Sequence, residues 1–277
     1  MKLNVFRFIS LGLVLSLCIG CSSSIEGDWY LEYMNLDLIH DSYKGEGQNI
    51  AIIDSGLIGT YQNEYDDKII FEYNLIDDNV MVNDLNGHGS EMAILINKVA
   101  PESNLIILKI VNENGQTDAD LLLEALKLAQ EKGADIVNIS LGSYKYNEAI
   151  DLQVQNMIAN NITIVASIGD DGNRDFTYSA SYNGVISVRP IDYKDIDYEN
   201  SNTSSMNSYP FPGVDLQIID ENVSGSSYAC ALASGYIALL RENYEDYNIS
   251  YDNDYIKEML NQLNDHLDYF DLFKSTS

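Results

Sequence analysis

Basic residues are scarce in this chain. Lys and Arg total 15 against 43 Asp and Glu, leaving a formal net charge of −28. A surface that negative repels phosphate backbones, which excludes non-specific binding to DNA or RNA. Cysteine is scarcer still, at three residues. That is too few for a disulfide framework or a Cys-built zinc site to organise the fold. No internal repeat or low-complexity block is present. The one compact apolar stretch near the N-terminus, residues 8–19, falls short of the ~20 residues of a membrane span. Apolar residues are plentiful, at 45% of 277, which suits one large domain or two small ones. Runs such as 105–111 need a core to bury them, so disorder is excluded as well.

The stretch 8–19 follows Lys2 and Arg7 and runs into CIGC (18–21) and then three serines. A positive start, an apolar centre and a small residue at the end read as an export signal over residues 1–21. Glycine just before Cys21 resembles the bacterial lipoprotein box, although Cys18 stands where that pattern has Leu or another aliphatic residue. The resemblance implies diacylation of Cys21 through its sulfur. The protein would then be exported and held by this lipid anchor on the outer face of the bacterial cytoplasmic membrane, a secreted form being the alternative. Cys230 would be the free thiol. Residues 22–44 read as a short polar and aromatic lead-in, and 45–277 as the functional domain.

From Gln48 the chain alternates apolar runs with amphipathic stretches. Residues 50–53, 105–111, 136–139, 162–166 and 185–188 are short and rich in β-branched residues, as in strands buried on both faces. Between them, 118–132 places Leu121, Leu122, Ala125, Leu128 and Ala129 at helical spacing. Helices are also expected over 149–160, 228–243 and 255–263. This alternation predicts an α/β fold, a doubly wound and mostly parallel sheet with helices on both faces. Such sheets carry their sites just beyond the carboxyl ends of the strands.

Four segments at those places are unusual. NIAIIDSG (49–56) ends a buried strand on Asp54, which taken alone is a turn former. NGHGSEMA (86–93) brackets His88, one of only three histidines, between glycines that let other backbone approach. IVASIGDDG (164–172) runs a strand into a Gly-bracketed acidic turn. VSGSSYACALASG (223–235) crowds small residues at a helix start, where Ser227 is either a cap or a nucleophile favoured by the helix dipole.

In this order, the segments resemble the subtilisin-like serine proteases, the subtilases (peptidase S8), a family with chain order Asp, His, Ser. GEGQNIAIIDSGL (45–57), ADIVNISLG (134–142) and YSASYNGVISV (178–188) extend the likeness over roughly residues 30–245. The resemblance implies a serine endopeptidase working through Asp54, His88 and Ser227 and an acyl-enzyme. His88 is the base, Asp54 orients it, and Ser227 attacks. It also implies that Ser140, Leu141 and Gly142 form the edge to which a peptide substrate adds, with Gly169 and Thr177 beside it. Asp170 stands where the family's oxyanion donor is usually Asn. A carboxylate cannot donate, so Asp170 either titrates during catalysis or slows the enzyme. Ser90, Glu91 and Ala231 stand where the family usually has Thr, His and Pro.

The short connection from His88 to Val99-Ala100-Pro101 lacks room for the family's calcium loop. No metal site or required cofactor is expected. Asp77, Asp78, Asn83 and Asp84 are read as a solvated acidic loop, with weak structural calcium as the alternative. The short lead-in leaves little room for a folding-assisting propeptide. Asp171, Asp175 and Thr177 fall near the specificity wall and point to cleavage after basic residues, and the acidic surface would steer cationic peptides inward. The likeness extends to proteases that remove leaders from exported peptides. A monomer is expected. The alternatives are a weak or inactive subtilase-fold lipoprotein that binds peptides, and an unrelated doubly wound ligand-binding lipoprotein.

Overall fold

Strand β1 (Asn49–Asp54) shows how the sequence divides the core. Its side chains alternate in direction, so Ile50 and Ile52 pack into one apolar cluster while Ala51 and Ile53 pack into another on the opposite face. The computed structural model describes residues 28–265 and 268–274. Residues 1–21, read above as an export signal and including Cys18 and Cys21, lie outside the described residues.

The lead-in forms helices α1 (Trp29–Tyr33) and α2 (Leu36–Ile39) ahead of β1. Next come α3 (Gly59–Glu64), β2 (Ile69–Asn74), α4 (His88–Val99), β3 (Asn104–Lys109), α5 (Ala119–Glu131), β4 (Ile136–Ile139) and α6 (Glu148–Ala159). Strands β5 (Thr163–Ser167), β6 (Ile186–Ile191) and β7 (Tyr209–Pro212) follow, then a hairpin of β8 (Leu216–Ile218) and β9 (Glu221–Val223). Helices α7 (Ser226–Asp246), α8 (Asn253–Asn261) and α9 (Asp271–Lys274) come last among the described residues. The main sheet has seven strands in the order β2-β3-β1-β4-β5-β6-β7, and all its pairings are parallel. The strand order reverses at β1, so a crevice opens beyond the ends of β1 and β4.

Helix α7 crosses one face and is almost wholly buried, with Ala229, Ala231, Ala233 and Gly235 letting it lie close to its neighbours. Helices α5 and α6 cover the other face. At the end away from the crevice, buried Arg241 of α7 ties the strand starts together. It donates to Gln48 Oε1 at 2.8 Å, Asn161 O at 3.1 Å and Thr163 Oγ1 at 3.2 Å.

The lead-in is part of this core, with Trp29, Tyr30, Met34, Leu36 and Ile39 buried in the same cluster as α7. The C-terminal segment also packs. Tyr236 Oη donates to Tyr269 O at 2.6 Å, and Tyr269 Oη donates to Pro210 O at 2.8 Å. Both edge strands escaped the sequence reading. β7 carries Pro210 and Pro212, which suit an edge because proline cannot donate to the ladder; Pro190 of β6 likewise lies past the last residue that pairs with β5. β2 is half-exposed and lacks a continuous apolar run.

Candidate active site

Asp54 closes β1 and is buried, 2% exposed. Its carboxylate accepts from the Ser55 N–H at 2.8 Å, and its carbonyl accepts from Ile110 and Val111 N–H at 2.8 and 3.2 Å. Strand and turn thus fix the acid in place. Opposite it, α4 begins at His88. Gly87 precedes the helix with φ +99°, a conformation side chains rarely adopt. A Cβ on Gly89 would lie 2.5 Å from the Gly56 carbonyl, so glycine there lets the helix start touch the turn after β1.

Asp84 holds this turn from behind. Its carboxylate accepts from Asn86 N at 3.0 Å, Gly87 N at 2.8 Å, Ser90 N at 3.0 Å and Ser90 Oγ at 2.7 Å. Burial opposes its charge, but these bonds outweigh it and hold the carboxyl below the usual range. Asp84 is therefore no part of a solvated acidic loop: it is 5% exposed and caps the helix that presents His88. Asp77 and Asp78 stay at the surface, bonded to Asn74 and Tyr73. Among the described residues, no group of three or more His, Cys, Asp and Glu is arranged to hold a metal ion.

These constraints bring His88 Nδ1 to 2.9 and 3.0 Å from the two Asp54 oxygens. Burial alone would lower the imidazole's pKa. The Asp54 charge and hydrogen bond outweigh it, helped by Glu91 and Asp84, and push it up to about 9.

Ser227 occupies the first turn of α7, which begins at Ser226. Its Oγ donates to the Ser140 carbonyl at 3.2 Å, and Ser140 Oγ donates back to the Ser227 carbonyl at 3.2 Å. Asn138 supports this clasp from β4. It donates to Ser140 Oγ at 3.1 Å and accepts from Ser234 Oγ at 3.0 Å and Cys230 Sγ at 3.2 Å. Among the described residues no hydrogen bond joins Ser227 to His88. The rings of His88 and Tyr228, the residue after Ser227, lie 6.2 Å apart.

Asp170 meets the same helix start. Its carboxylate accepts from Ser226 N at 2.8 Å and Ser226 Oγ at 2.9 Å, while Ser226 Oγ accepts from Gly169 N at 3.1 Å. Burial raises the Asp170 carboxyl, the Ser226 bonds lower it and Asp171 raises it again, with a net upward direction. Asp170 thus acts as an acceptor here, and Ser226 is a partner that sequence reasoning missed.

Ser140, Leu141 and Gly142 follow directly on β4. Leu141 and Gly142 line a cavity of about 260 Å³ with Leu122, Ile150, Tyr178 and Tyr182. Thr177 is wedged between two glycines: a Cβ on Gly142 would come 2.4 Å from Thr177 Oγ1, and one on Gly169 2.9 Å from Thr177 Cγ2. Asp171 and Asp175 are exposed, and Asp171 accepts from Tyr144 Oη at 2.7 Å.

Residues 45–264 match the subtilase family of peptidases, peptidase S8. The thermostable alkaline protease of Halalkalibacterium halodurans is 25% identical over 256 residues, covering 84% of this chain and 67% of that protein. The major intracellular serine protease of Bacillus subtilis is 29% identical over 227 residues, covering 73% of this chain and 70% of its own. Among solved structures, a lanthipeptide protease superposes with a TM-score of 0.76 at 18% identity, covering 84% of this chain and 86% of that one.

Proposed function

Because the chain belongs to the subtilase family of serine proteases, we propose that it is a serine endopeptidase in which Asp54, His88 and Ser227 act as orienting acid, base and nucleophile. One observation carries this reading. The buried Asp54 carboxylate sits 2.9 Å from His88 Nδ1, beside the first turn of the helix that presents Ser227. With Nδ1–H donated to Asp54, the lone pair of His88 lies on Nε2, the nitrogen that faces an incoming hydroxyl. Ser227 Oγ leaves the Ser140 carbonyl, gives its proton to Nε2 and attacks the peptide carbonyl. His88 returns that proton to the leaving amine, and water then cleaves the acyl-enzyme with His88 again as base.

The oxyanion meets the Ser227 N–H at the positive end of α7. Asp170 is the second group at this place, and it donates only when protonated. The upward direction of its pKa favours that neutral form, while its bonds from Ser226 favour the anion. The Ser226–Asp170 contacts also support the rival reading, a weak or inactive peptide-binding protein of the same fold.

A substrate strand would pair along Ser140, Leu141 and Gly142, placing an apolar or aromatic side chain in the cavity under Leu141. Thr177 narrows the slot between Gly142 and Gly169. A preference for Lys or Arg before the cut would draw on the exposed Asp171 and Asp175, and cationic peptides suit the net charge of −28. We place the protein outside the cytoplasmic membrane, anchored through Cys21, working as a monomer with no required cofactor and at most a weak structural calcium. A peptide-library cleavage assay on protein lacking residues 1–21, with and without chelator, tests these points together. Cleavage that tolerates the chelator and is lost in Ser227→Ala is expected. A library left intact by a folded protein would favour the binding-only reading.

A further inference from the structure

We propose that Glu91 and Tyr228 form a positioning bridge that ties the helix carrying His88 to the helix carrying Ser227 and orients the base toward the nucleophile. The inference rests on the triad reading above. Glu91 stands one helical turn beyond His88 on α4, so both point toward the same side. Tyr228 directly follows Ser227 on α7. The Tyr228 hydroxyl donates to Glu91 Oε2 at 3.1 Å, and its ring lies 6.2 Å from the imidazole at 56°. One side chain thereby contacts the turn of the base and the turn of the nucleophile.

The two helices also meet at a second level. A Cβ on Gly235 of α7 would lie 2.8 Å from Val99 Cβ and 3.2 Å from the Ile96 carbonyl. That contact is set by shape alone, whereas the level beside the reactive groups is set by a polar bond. Placement there matters, since an error of about 1 Å in a reacting geometry costs about a hundredfold in rate.

The bridge also brings charge to the base. His88 faces Asp54 from β1, Asp84 from the loop before α4, Glu91 from its own helix and Tyr228 from α7. Glu91 faces Tyr228, His88, Asp84 and Glu221 of β9. Burial raises its carboxyl, the Tyr228 bond and the His88 charge oppose this, and Glu221 and Asp84 add to the rise. A group that gives and feels charge at this range acts on the base as well as on the fold.

The test combines two variants with a readout that needs no turnover. In Glu91→Gln an amide oxygen can still accept from Tyr228, but the charge is gone. The His88 imidazole resonances, assigned by their loss in His88→Ala, should titrate at least about half a pH unit lower than in the parent protein. With Asp170→Asn in the background, where His88 alone shapes the profile, the limb of kcat/KM that climbs with pH should move the same way. Tyr228→Phe keeps the ring and breaks the bridge, and kcat should fall about tenfold or more with KM little changed. A merely structural pair would leave the His88 titration and the pH limb in place in both variants and would lower only the melting temperature. That result, in folded variants, overturns the inference. If the parent protein shows no Ser227-dependent turnover, the triad reading fails, yet the His88 titration in Glu91→Gln still decides the inference.

Discussion

Replacing Asp54 with Asn removes the charge that governs His88 while keeping the shape of its side chain. In the parent protein Asp54, helped by Glu91 and Asp84, overcomes the effect of burial and lifts the imidazole from the ordinary 6.5 to about 9. Without the carboxylate, burial dominates and the imidazole should titrate at or below the ordinary value. At about 1.4 kcal/mol per pH unit, the difference is on the order of 3 kcal/mol. The 29% exposure of the His88 side chain lets water screen the pair and trims this toward about 2 kcal/mol.

The sign follows from the protonated form being favoured in the folded state. The stabilisation is fully present below pH 6.5 and is lost as pH rises through about 9. Urea unfolding of both proteins across this range, beside an NMR titration of His88, reads both quantities. The stability gap between parent and Asp54→Asn should close as pH rises through that window. Peptide turnover should fall by on the order of 10⁴-fold, because the wrong tautomer then becomes available. A His88 midpoint that stays near 9 in Asp54→Asn would refute this account of the pair.

Asp170 should govern the opposite side of the pH range. Catalysis asks for a neutral Asp170 and an unprotonated His88 together, demands that pull in opposite directions. Asp170→Asn removes the first, so kcat/KM on the alkaline side should rise by about 10²–10³-fold, the worth of one oxyanion donor. The profile should become a single limb climbing toward the His88 value of about 9; an unchanged profile would count against the role given to Asp170. Asp84→Ala strips a shared acceptor from the Asn86, Gly87 and Ser90 N–H groups and should cost about 1–3 kcal/mol of stability at neutral pH. Since the Asp84 carboxyl is held below its usual 3.8, its contribution is present above that pH and fades as pH falls through the folded value. Equal urea midpoints at neutral pH would contradict the capping role.

The sequence revealed most about the sheet centre and least about its edges. β1, β3, β4 and β5 are buried on both faces, so each reads as a nearly unbroken apolar run. β2 and β7 have one neighbour each, and residues such as Glu72 and Pro210 break the apolar, β-branched pattern by which the central strands are recognised. Asp54, His88 and Ser227 stood out through the likeness of their ordered segments to the subtilase motifs, since local pattern alone leaves Asp54 a turn former and Ser227 a helix cap. Asp84 was misread because the acidic residues around it are exposed, and its burial depends on a cap four residues upstream of His88. Ser226 and the Glu91–Tyr228 contact were invisible because they join segments 56 and 137 residues apart. The wedge of Thr177 between Gly142 and Gly169 depends on a close approach of separate loops that no local pattern encodes.

The central claim is that one alcohol in this chain is activated for attack. A fluorophosphonate reacts only with a serine made nucleophilic by its surroundings, so it reports on that activation without knowledge of the natural substrate. Protein lacking residues 1–21 should be labelled at Ser227, and Ser227→Ala and His88→Ala should leave no adduct. Folded protein that gains no label at Ser227 across the alkaline range, where His88 is unprotonated, would contradict the account.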